Sequence, residues 1–181
     1  MPIGSYVVLP HVAHALETSR PQRVLDLGAG FGIYGAVVRE WLDGGVKPWR
    51  TLLVGVEGHA PYGNPLWDLY DVMAIDTIER FMDRHAERYD AVLMLDVIEH
   101  FEKVEGGRRL EQAQQRVAPG GQLLVSTPAV FVPQGSVHGN PLEQHRSLWT
   151  AEEFTQRGFR LLCDGQLDPL GGQMIVAQWC S

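Results

Sequence analysis

The 181-residue sequence has too few cysteines, too few basic residues and too short apolar runs for several classes of protein. Its two cysteines, Cys163 and Cys180, cannot build a disulfide scaffold, and we expect them to be reduced thiols of a cytoplasmic protein. No apolar run approaches the roughly 20 residues that span a bilayer. No basic residue precedes the short apolar patch at the N-terminus, as a secretory signal would require. We therefore expect no membrane partner.

The net charge of the chain argues against a further class of protein. The formal net charge of −7 argues against a dedicated nucleic-acid binder, because such proteins usually carry a basic face. The chain is long enough to bury a core without disulfides or a structural metal. We expect a single domain over residues 1–181, with an N-terminal helical segment at 1–20 and a substrate-side loop at 128–149.

The pattern of apolar residues predicts a mostly parallel sheet of seven strands with helices on both faces, a three-layer α/β/α sandwich. Continuous apolar, β-branched runs alternate with amphipathic stretches, as in parallel sheets that are covered on both sides. The last two runs are joined only through Asp168–Gly172, which is too short for a helical crossover, so one late strand should be antiparallel. The predicted strands are Arg23–Leu27, Leu52–Glu57, Val72–Ile75, Ala91–Leu95, Gln122–Thr127, Arg160–Asp164 and Gln173–Trp179. The predicted helices are Pro10–Glu17, Ile33–Leu42, Thr77–Glu87, Gly107–Val117 and Thr150–Arg157.

A glycine-rich turn after the first predicted strand is the most informative segment. Gly28, Gly30 and Gly32 follow an apolar strand that contains Asp26, and they precede a helix. Glycine permits a sharp turn and a close approach of ligand to backbone, and the helix N-terminus offers unpaired N–H groups. The G-x-G-x-G spacing differs from the dinucleotide fingerprint, and no phosphate-binding loop of the triphosphatase type is present. Asp26 would repel a pyrophosphate but could receive an ammonium group.

The segment D-L-G-x-G-x-G resembles the first motif of the class I S-adenosylmethionine-dependent methyltransferases. The remaining signals follow in that family's order, so the resemblance covers nearly the whole chain. It implies a Rossmann-like fold with S-adenosyl-L-methionine as cofactor and S-adenosyl-L-homocysteine as product. It places the methionine part of the cofactor on Gly28, Ala29, Gly30 and Gly32, and its amino group near Asp26.

Acidic residues end the next three strands. Glu57 can accept hydrogen bonds from two ribose hydroxyls, and the resemblance makes it the ribose ligand. Asp76 resembles the acidic residue beside the adenine amine, with the backbone of Thr77 at the ring edge; Asp76 could equally be the N-cap of the helix that begins at Thr77. The backbone of Leu95 and Asp96 should face the methionine end of the cofactor.

Two further segments resemble small methyltransferases of the same class: D-V-I-E-H-F from Asp96 and H-R-S-x-W-T from His145. The loop at 128–149 lacks periodicity, and a loop of that length in a compact domain is usually functional. We expect it to lie over the cofactor on the substrate side. Because no substrate domain is inserted, the acceptor should be a small molecule or a glycan, or be presented by a second subunit, as in a homodimer.

Methyl transfer to a hydroxyl requires a base to take the hydroxyl proton, and histidine suits neutral pH. O-methylation is the favoured reaction. His145 is the first candidate base and His138 the second. His100 could serve the substrate or stabilise the turn after the fourth strand.

One alternative concerns a metal, which the leading hypothesis does not need. Asp96, Glu99, His100 and His145 resemble, by residue type, the set that holds a divalent ion in small-RNA terminal 2′-O-methyltransferases. Carboxylate and imidazole mixtures suit such ions. The sequence departs from that set at Asp96, which replaces a glutamate, and it has no recognisable RNA-binding module.

Two other functions compete with the leading hypothesis. An NAD(P)-dependent oxidoreductase should have a G-x-G-x-x-G turn and a catalytic Tyr/Lys or His arrangement, and neither is evident in the sequence. A non-catalytic S-adenosylmethionine-binding protein fits the sequence as well, since catalysis by proximity leaves no obligatory catalytic residue.

Overall fold

A computed structural model describes residues 5–167 and 172–181. Its seven strands form one sheet in the order β3-β2-β1-β4-β5-β7-β6. The strands are β1 Arg23–Leu27, β2 Leu52–Glu57, β3 Val72–Ile75, β4 Tyr89–Leu95, β5 Val117–Pro128, β6 Arg160–Leu167 and β7 Gln173–Cys180. The helices are α1 Val8–Ser19, α2 Ile33–Asp43, α3 Ile78–Arg84, α4 Lys103–Gln115 and α5 Ala151–Gln156.

The direction of the strands confirms the predicted mixed sheet. Pairing is parallel from β3 through β5, and only β7 runs antiparallel, to both β5 and β6. The predicted antiparallel pairing of the last two strands is therefore confirmed. Most of their predicted connection, Asp168–Gly171, lies outside the described residues.

Helices cover both faces of the sheet, which confirms the three layers. On one face, Val12 and Leu16 of α1 and Val38 of α2 pack with the sheet in a buried cluster. On the other face, Leu110 of α4 and Phe154 of α5 belong to a second buried cluster. No described helix has both the length and the apolar character that a membrane crossing needs.

Several predicted boundaries are wrong, and α4 shows the physical reason. We expected this helix to begin at Gly107, the second of two adjacent glycines, which are weak helix formers. Instead it begins at Lys103 and continues through Gly106, whose missing side chain makes room for the ring of Trp149. A Cβ atom at Gly106 would come within 2.9 Å of Trp149 Cζ2. Tertiary packing thus outweighs the low helix propensity of glycine.

Smaller differences follow local interactions. Strand β5 begins at Val117 instead of Gln122, because Val117 pairs with Tyr89 before a register shift in the β4–β5 ladder. Helix α3 begins at Ile78, and the Thr77 side chain accepts from Arg80 N. At α5, Thr150 and Glu153 form the predicted capping box, with both reciprocal hydrogen bonds present.

Candidate active site

A pocket lies beyond the carboxyl ends of β1, β2 and β4, which are neighbours in the sheet. Its empty volume is about 860 Å³, including space open to solvent. Seven of the ten residues predicted to bind the cofactor line it; the three that do not are Asp26, Gly32 and Asp76. Most of the residues predicted to bind the cofactor therefore lie together at the carboxyl edge of the sheet.

The glycine turn forms one wall of the pocket and has a backbone that favours glycine. Gly28 and Gly32 have φ angles of +79° and +86°, in the left-handed region. A Cβ atom at Gly28 would come within 2.5 Å of Val97 Cγ2, so the turn also packs too tightly for a side chain there. Gly32 is the N-cap of α2.

Glu57 links this turn to the end of β2. Its Oε2 accepts a hydrogen bond from Gly30 N at 2.9 Å, and its Oε1 accepts one from His59 N at 2.7 Å. Burial raises the pKa of Glu57, and these two backbone donors partly oppose the rise. A carboxylate has about four acceptor positions, so Glu57 keeps capacity for two ligand hydroxyls.

Asp26 lies beneath the glycine turn instead of lining the pocket. Its Oδ2 accepts a hydrogen bond from the Tyr70 hydroxyl at 2.6 Å, and that hydroxyl accepts one from Gly35 N. Burial raises the pKa of Asp26 to about 7, with Tyr70 opposing the rise and the charge of Glu57 adding to it. Asp26 therefore supports the turn through Tyr70, a contact that the sequence did not predict.

The segment between β2 and β3 holds the glycine turn from outside. Trp67 Nε1 donates to Gly30 O at 2.9 Å, and Asn64 Nδ2 donates to Phe31 O at 3.0 Å. Residues 60–70 contain two short 3₁₀ turns, and no periodicity in the sequence signals this role. Pro61 in the first turn, and Asn64 and Pro65 at the start of the second, are the local signals that could have indicated ordered turns.

Asp96 stands at the other side of the pocket, directly after β4. Its φ angle of +55° places a non-glycine residue in the left-handed region, a strained conformation often found at functional sites. Its Oδ1 accepts from Ser126 Oγ at 2.5 Å and its Oδ2 from Ser5 N at 2.9 Å. Burial raises the pKa of Asp96, and the bonds from Ser126 and Ser5 oppose the rise.

Asp76 does not line the pocket, whereas Thr77 does. Asp76 Oδ1 accepts from Thr77 N at 2.9 Å, and Oδ2 pairs with Arg84 at 3.3 Å. The predicted role of Asp76 as the N-cap of α3 is wrong, since the capping side chain is that of Thr77.

His100 lines the pocket, and His145, the first candidate base, lies beside it without lining the pocket. The centroids of the two rings are 5.0 Å apart. His145 Nδ1 lies 2.7 Å from Val132 O, and His100 Nδ1 lies 3.2 Å from Gln144 O. A carbonyl oxygen only accepts, so each Nδ1 carries the proton and each Nε2 keeps its lone pair. Burial lowers the pKa of both histidines, which favours neutral rings at pH 7.

Glu99 completes a cluster with these two histidines. One potential ligand atom from each of the three side chains lies within 4.8 Å of the others. Glu99 is 3% exposed, and its Oε2 has no hydrogen bond of good geometry among the described residues. Burial, and next the charge of Asp96, raises the pKa of Glu99 well above its usual range. Asp96, the fourth residue of the predicted metal set, does not join this cluster.

The loop at 128–149 contributes part of the pocket wall. Asn140, Leu142, Glu143 and Arg146 line it, and the amides of Arg146 and Ser147 donate to Glu99 O at 2.8 and 3.1 Å. His138, the second candidate base, is exposed and does not line the pocket. The sequence could not show which side chains of this loop line the pocket.

Comparison with known proteins decides the family. A family model described as "Methyltransferase domain" matches residues 6–163, which is most of the chain. The chain belongs to this methyltransferase family. The ubiquinone biosynthesis O-methyltransferase of Azorhizobium caulinodans is 33% identical over 126 residues, which are 67% of this chain and 47% of that protein. The chain thus spans about half the length of this relative.

Solved structures share the fold of this methyltransferase domain. The 1,6-didemethyltoxoflavin-N1-methyltransferase of Burkholderia thailandensis, solved with 1,6-didemethyltoxoflavin and S-adenosylhomocysteine, has a TM-score of 0.68 at 22% identity, over 96% of this chain and 76% of that chain. The methyltransferase domain of bacterial CtHen1 has a TM-score of 0.58 at 19% identity, over 96% of this chain and 97% of that chain. The predicted family, fold and cofactor, S-adenosylmethionine, are confirmed.

The residues of the pocket fit this cofactor. The walls of the pocket combine apolar side chains such as Ile33, Leu95 and Leu142 with the carboxylates of Glu57 and Asp96. Such a mixture suits an adenosine that bears hydroxyls and a charged amino-acid end.

Proposed function

We propose that the protein transfers the methyl group of S-adenosylmethionine to a hydroxyl of a small molecule or glycan. When bound, the cofactor supplies an electrophilic methyl group. The glycine turn and Leu95–Asp96 would hold the methionine end of the cofactor. Glu57 would bind the ribose, and Thr77 would lie at the edge of the adenine ring. The observation that carries the proposal is the contact of two histidine rings beside the pocket, which His100 lines, each with its Nε2 lone pair unused by the backbone.

His145 is the base that we favour, although only its neighbour His100 lines the pocket. Its Nδ1 bond to Val132 O is 2.7 Å, shorter than the 3.2 Å bond of His100, so its ring is more firmly oriented. Nε2 can accept the hydroxyl proton, and the carbonyl of Val132 stabilises the imidazolium that results. Isotope-labelled S-adenosylmethionine and a panel of hydroxylated acceptors test the reaction, and turnover with none of them, or only with amines, would contradict O-methylation.

Loss of Glu57 should weaken cofactor binding. We expect Glu57→Ala to reduce the affinity for S-adenosylhomocysteine by about 1–3 kcal/mol, the usual value of hydrogen bonds to a charged group. Calorimetry should show one site per chain in the wild type and no binding of NAD. Asp68→Ala, which removes an exposed carboxylate outside the pocket, is the matched control. Unchanged affinity in Glu57→Ala would show that the ribose lies elsewhere.

The cluster of Glu99, His100 and His145 supports a second candidate, a metal-dependent 2′-O-methyltransferase of the small-RNA type. One carboxylate and two neutral imidazoles are a suitable donor set for a divalent transition-metal ion. The backbone carbonyls that orient both histidine rings are typical partners of metal-bound histidines. A cation would also complement the buried carboxylate of Glu99 and lower its raised pKa.

Metal binding is open to a direct test. If the cluster holds a metal, Mn²⁺ should raise the melting temperature of the wild type, and Glu99→Gln should remove most of that shift. His138→Asn should keep it, because His138 is exposed and outside the cluster. A wild type with no Mn²⁺-dependent shift, and with activity that EDTA leaves unchanged, would rule out this candidate and leave the metal-free reaction.

A further inference from the structure

Arg146 is the only arginine or lysine that lines the pocket among the described residues. It belongs to the loop at 128–149, and it has no role in the chemistry proposed above. Several carboxylates line the same pocket, namely those of Glu57, Glu79, Asp96 and Glu143. A single cation among several anions selects the charge of the group that binds beside it, because like charges disfavour the wrong ligand.

Backbone carbonyls, and no carboxylate, hold the guanidinium of Arg146. Nη1 donates to His100 O at 2.7 Å, and Nη2 donates to Pro141 O at 3.4 Å. Within residues 5–167 and 172–181, Arg146 forms no ion pair, whereas the buried Arg39 pairs with Asp43 at 2.7 Å. A guanidinium carries several N–H donors in a planar fork, and the two carbonyls leave most of them available to a ligand.

The pocket carboxylate that is closest to Arg146 in the sequence is directed elsewhere. Glu143 belongs to the same loop and also lines the pocket, but its Oε1 accepts a hydrogen bond from the Tyr62 hydroxyl at 3.0 Å. The charge of the Arg146 guanidinium is therefore not neutralised by its acidic neighbour in the loop.

The contacts of Arg146 place it beside the candidate histidines. Its side chain donates to His100 O, its amide donates to Glu99 O at 2.8 Å, and it directly follows His145. The ring of His100 lines the pocket together with Arg146. An anionic group held by this guanidinium would therefore lie close to the imidazoles, where the proposed function places the acceptor hydroxyl.

We propose that Arg146 binds a carboxylate of the methyl acceptor, so that the acceptor is a hydroxy acid. The assignment rests on the proposed function, since it assumes that the acceptor lies beside the histidines. A planar carboxylate matches the fork of a guanidinium and can take two parallel N–H bonds from it. A phosphate monoester fits less well, because it carries about two negative charges at pH 7 and the pocket already holds several carboxylates.

Pairs of hydroxy acids and their amides test the proposal, because each amide has nearly the shape of its acid without the charge. Salicylate and salicylamide represent aromatic acceptors, and glucuronate and glucuronamide represent sugars. Calorimetry on protein saturated with S-adenosylhomocysteine should show at least one acid that binds about tenfold more tightly than its amide, the effect of hydrogen bonds to a charged group. Arg146→Gln should remove this preference by weakening the acid alone, and Arg146→Lys should keep part of it.

Arg157→Gln is the matched control, because Arg157 also donates to a backbone carbonyl, Glu153 O at 3.0 Å, but does not line the pocket. This variant should keep the preference for the acid. Equal affinities of acid and amide in every pair, or a preference that survives in Arg146→Gln, would overturn the proposal. An equal loss of acid and amide in Arg146→Gln would also overturn it, because the guanidinium would then only support the pocket wall. Inorganic phosphate that binds more tightly than either acid would replace the carboxylate by a phosphate.

Further measurements separate this proposal from the function on which it rests. Arg146→Gln should bind S-adenosylhomocysteine as the wild type does, and a loss would show that the guanidinium binds the cofactor and would overturn the proposal. Methyl transfer to neutral hydroxyl compounds with no preference for acids would overturn only the role of Arg146. An acid preference that depends on Arg146, without methyl transfer to any acceptor, would keep the carboxylate site and overturn the proposed reaction. A wild type that does not bind S-adenosylhomocysteine would overturn both.

Discussion

Replacement of His145 by alanine should lower the turnover rate with a hydroxyl acceptor by roughly 10²–10⁴-fold, the usual contribution of a general base. The ring lies against that of His100, which lines the pocket, and its Nδ1 is fixed on Val132 O, so Nε2 is the group that can take the proton. Burial lowers the pKa of His145, so the base form of the wild type should persist below pH 6.5. The pH profile of kcat/KM should lose this ionisation in the variant.

The control for this experiment is His138→Ala, whose side chain is exposed outside the pocket and should leave turnover unchanged. Steady-state rates with an acceptor identified by the labelled-cofactor panel measure both variants. A His145→Ala enzyme within about threefold of the wild-type rate would contradict the assignment of the base.

Because His145 also belongs to the Glu99 cluster, a second variant must separate a base from a metal ligand. Glu99 carries no proton-transfer role if the reaction is metal-free, so Glu99→Gln should then retain most of the turnover. If a metal holds the acceptor, Glu99→Gln and EDTA should each abolish turnover, and Mn²⁺ should restore only the EDTA-treated wild type. The two mechanisms therefore predict opposite results for the same variant.

The sequence predicts the fold well where each residue pattern has a local cause. Continuous apolar runs mark the strands, and the positive φ angles after β1 need the glycines that the sequence places there. The start of α4 could not be predicted, since the ring for which Gly106 makes room belongs to Trp149, far away in the chain. Trp149 itself is fully buried in the core.

The candidate site likewise contains residues that the sequence could predict and residues that it could not. Glu57, Thr77 and Asp96 reach the pocket because each follows a strand that ends at the same edge, which is a matter of topology. Leu142, Glu143 and Arg146 come from a loop without periodicity, so only the three-dimensional structure shows that they line the pocket.

The support of the glycine turn was also hidden from sequence reasoning. Tyr70, 44 positions after Asp26, hydrogen-bonds its carboxylate, and the same hydroxyl accepts from Gly35 N. Arg39, a buried residue of α2, holds the adjacent backbone by donating to Leu69 O and pairing with Asp71. These contacts fix the turn from below and leave the pocket face free for a ligand.

The buried carboxylate of Asp26 predicts a large pH dependence of stability. Its pKa rises from 3.8 to about 7 on folding, so the folded state favours the protonated form. The stability that this group contributes is complete below about pH 4 and is lost as the pH rises to 7. With about 1.4 kcal/mol for each pKa unit, the total change is about 4 kcal/mol.

Asp26→Asn should remove this pH dependence, because asparagine has no charge to desolvate and its carbonyl can still accept from the Tyr70 hydroxyl. The variant should be more stable than the wild type at pH 8, and the difference should shrink steadily toward pH 5. Urea unfolding of both proteins across that range measures it, with Asp68→Asn as the control at an exposed carboxylate. A stability difference that does not change with pH would mean that Asp26 stays ionised in the folded protein, so that the turn rests on a charged carboxylate.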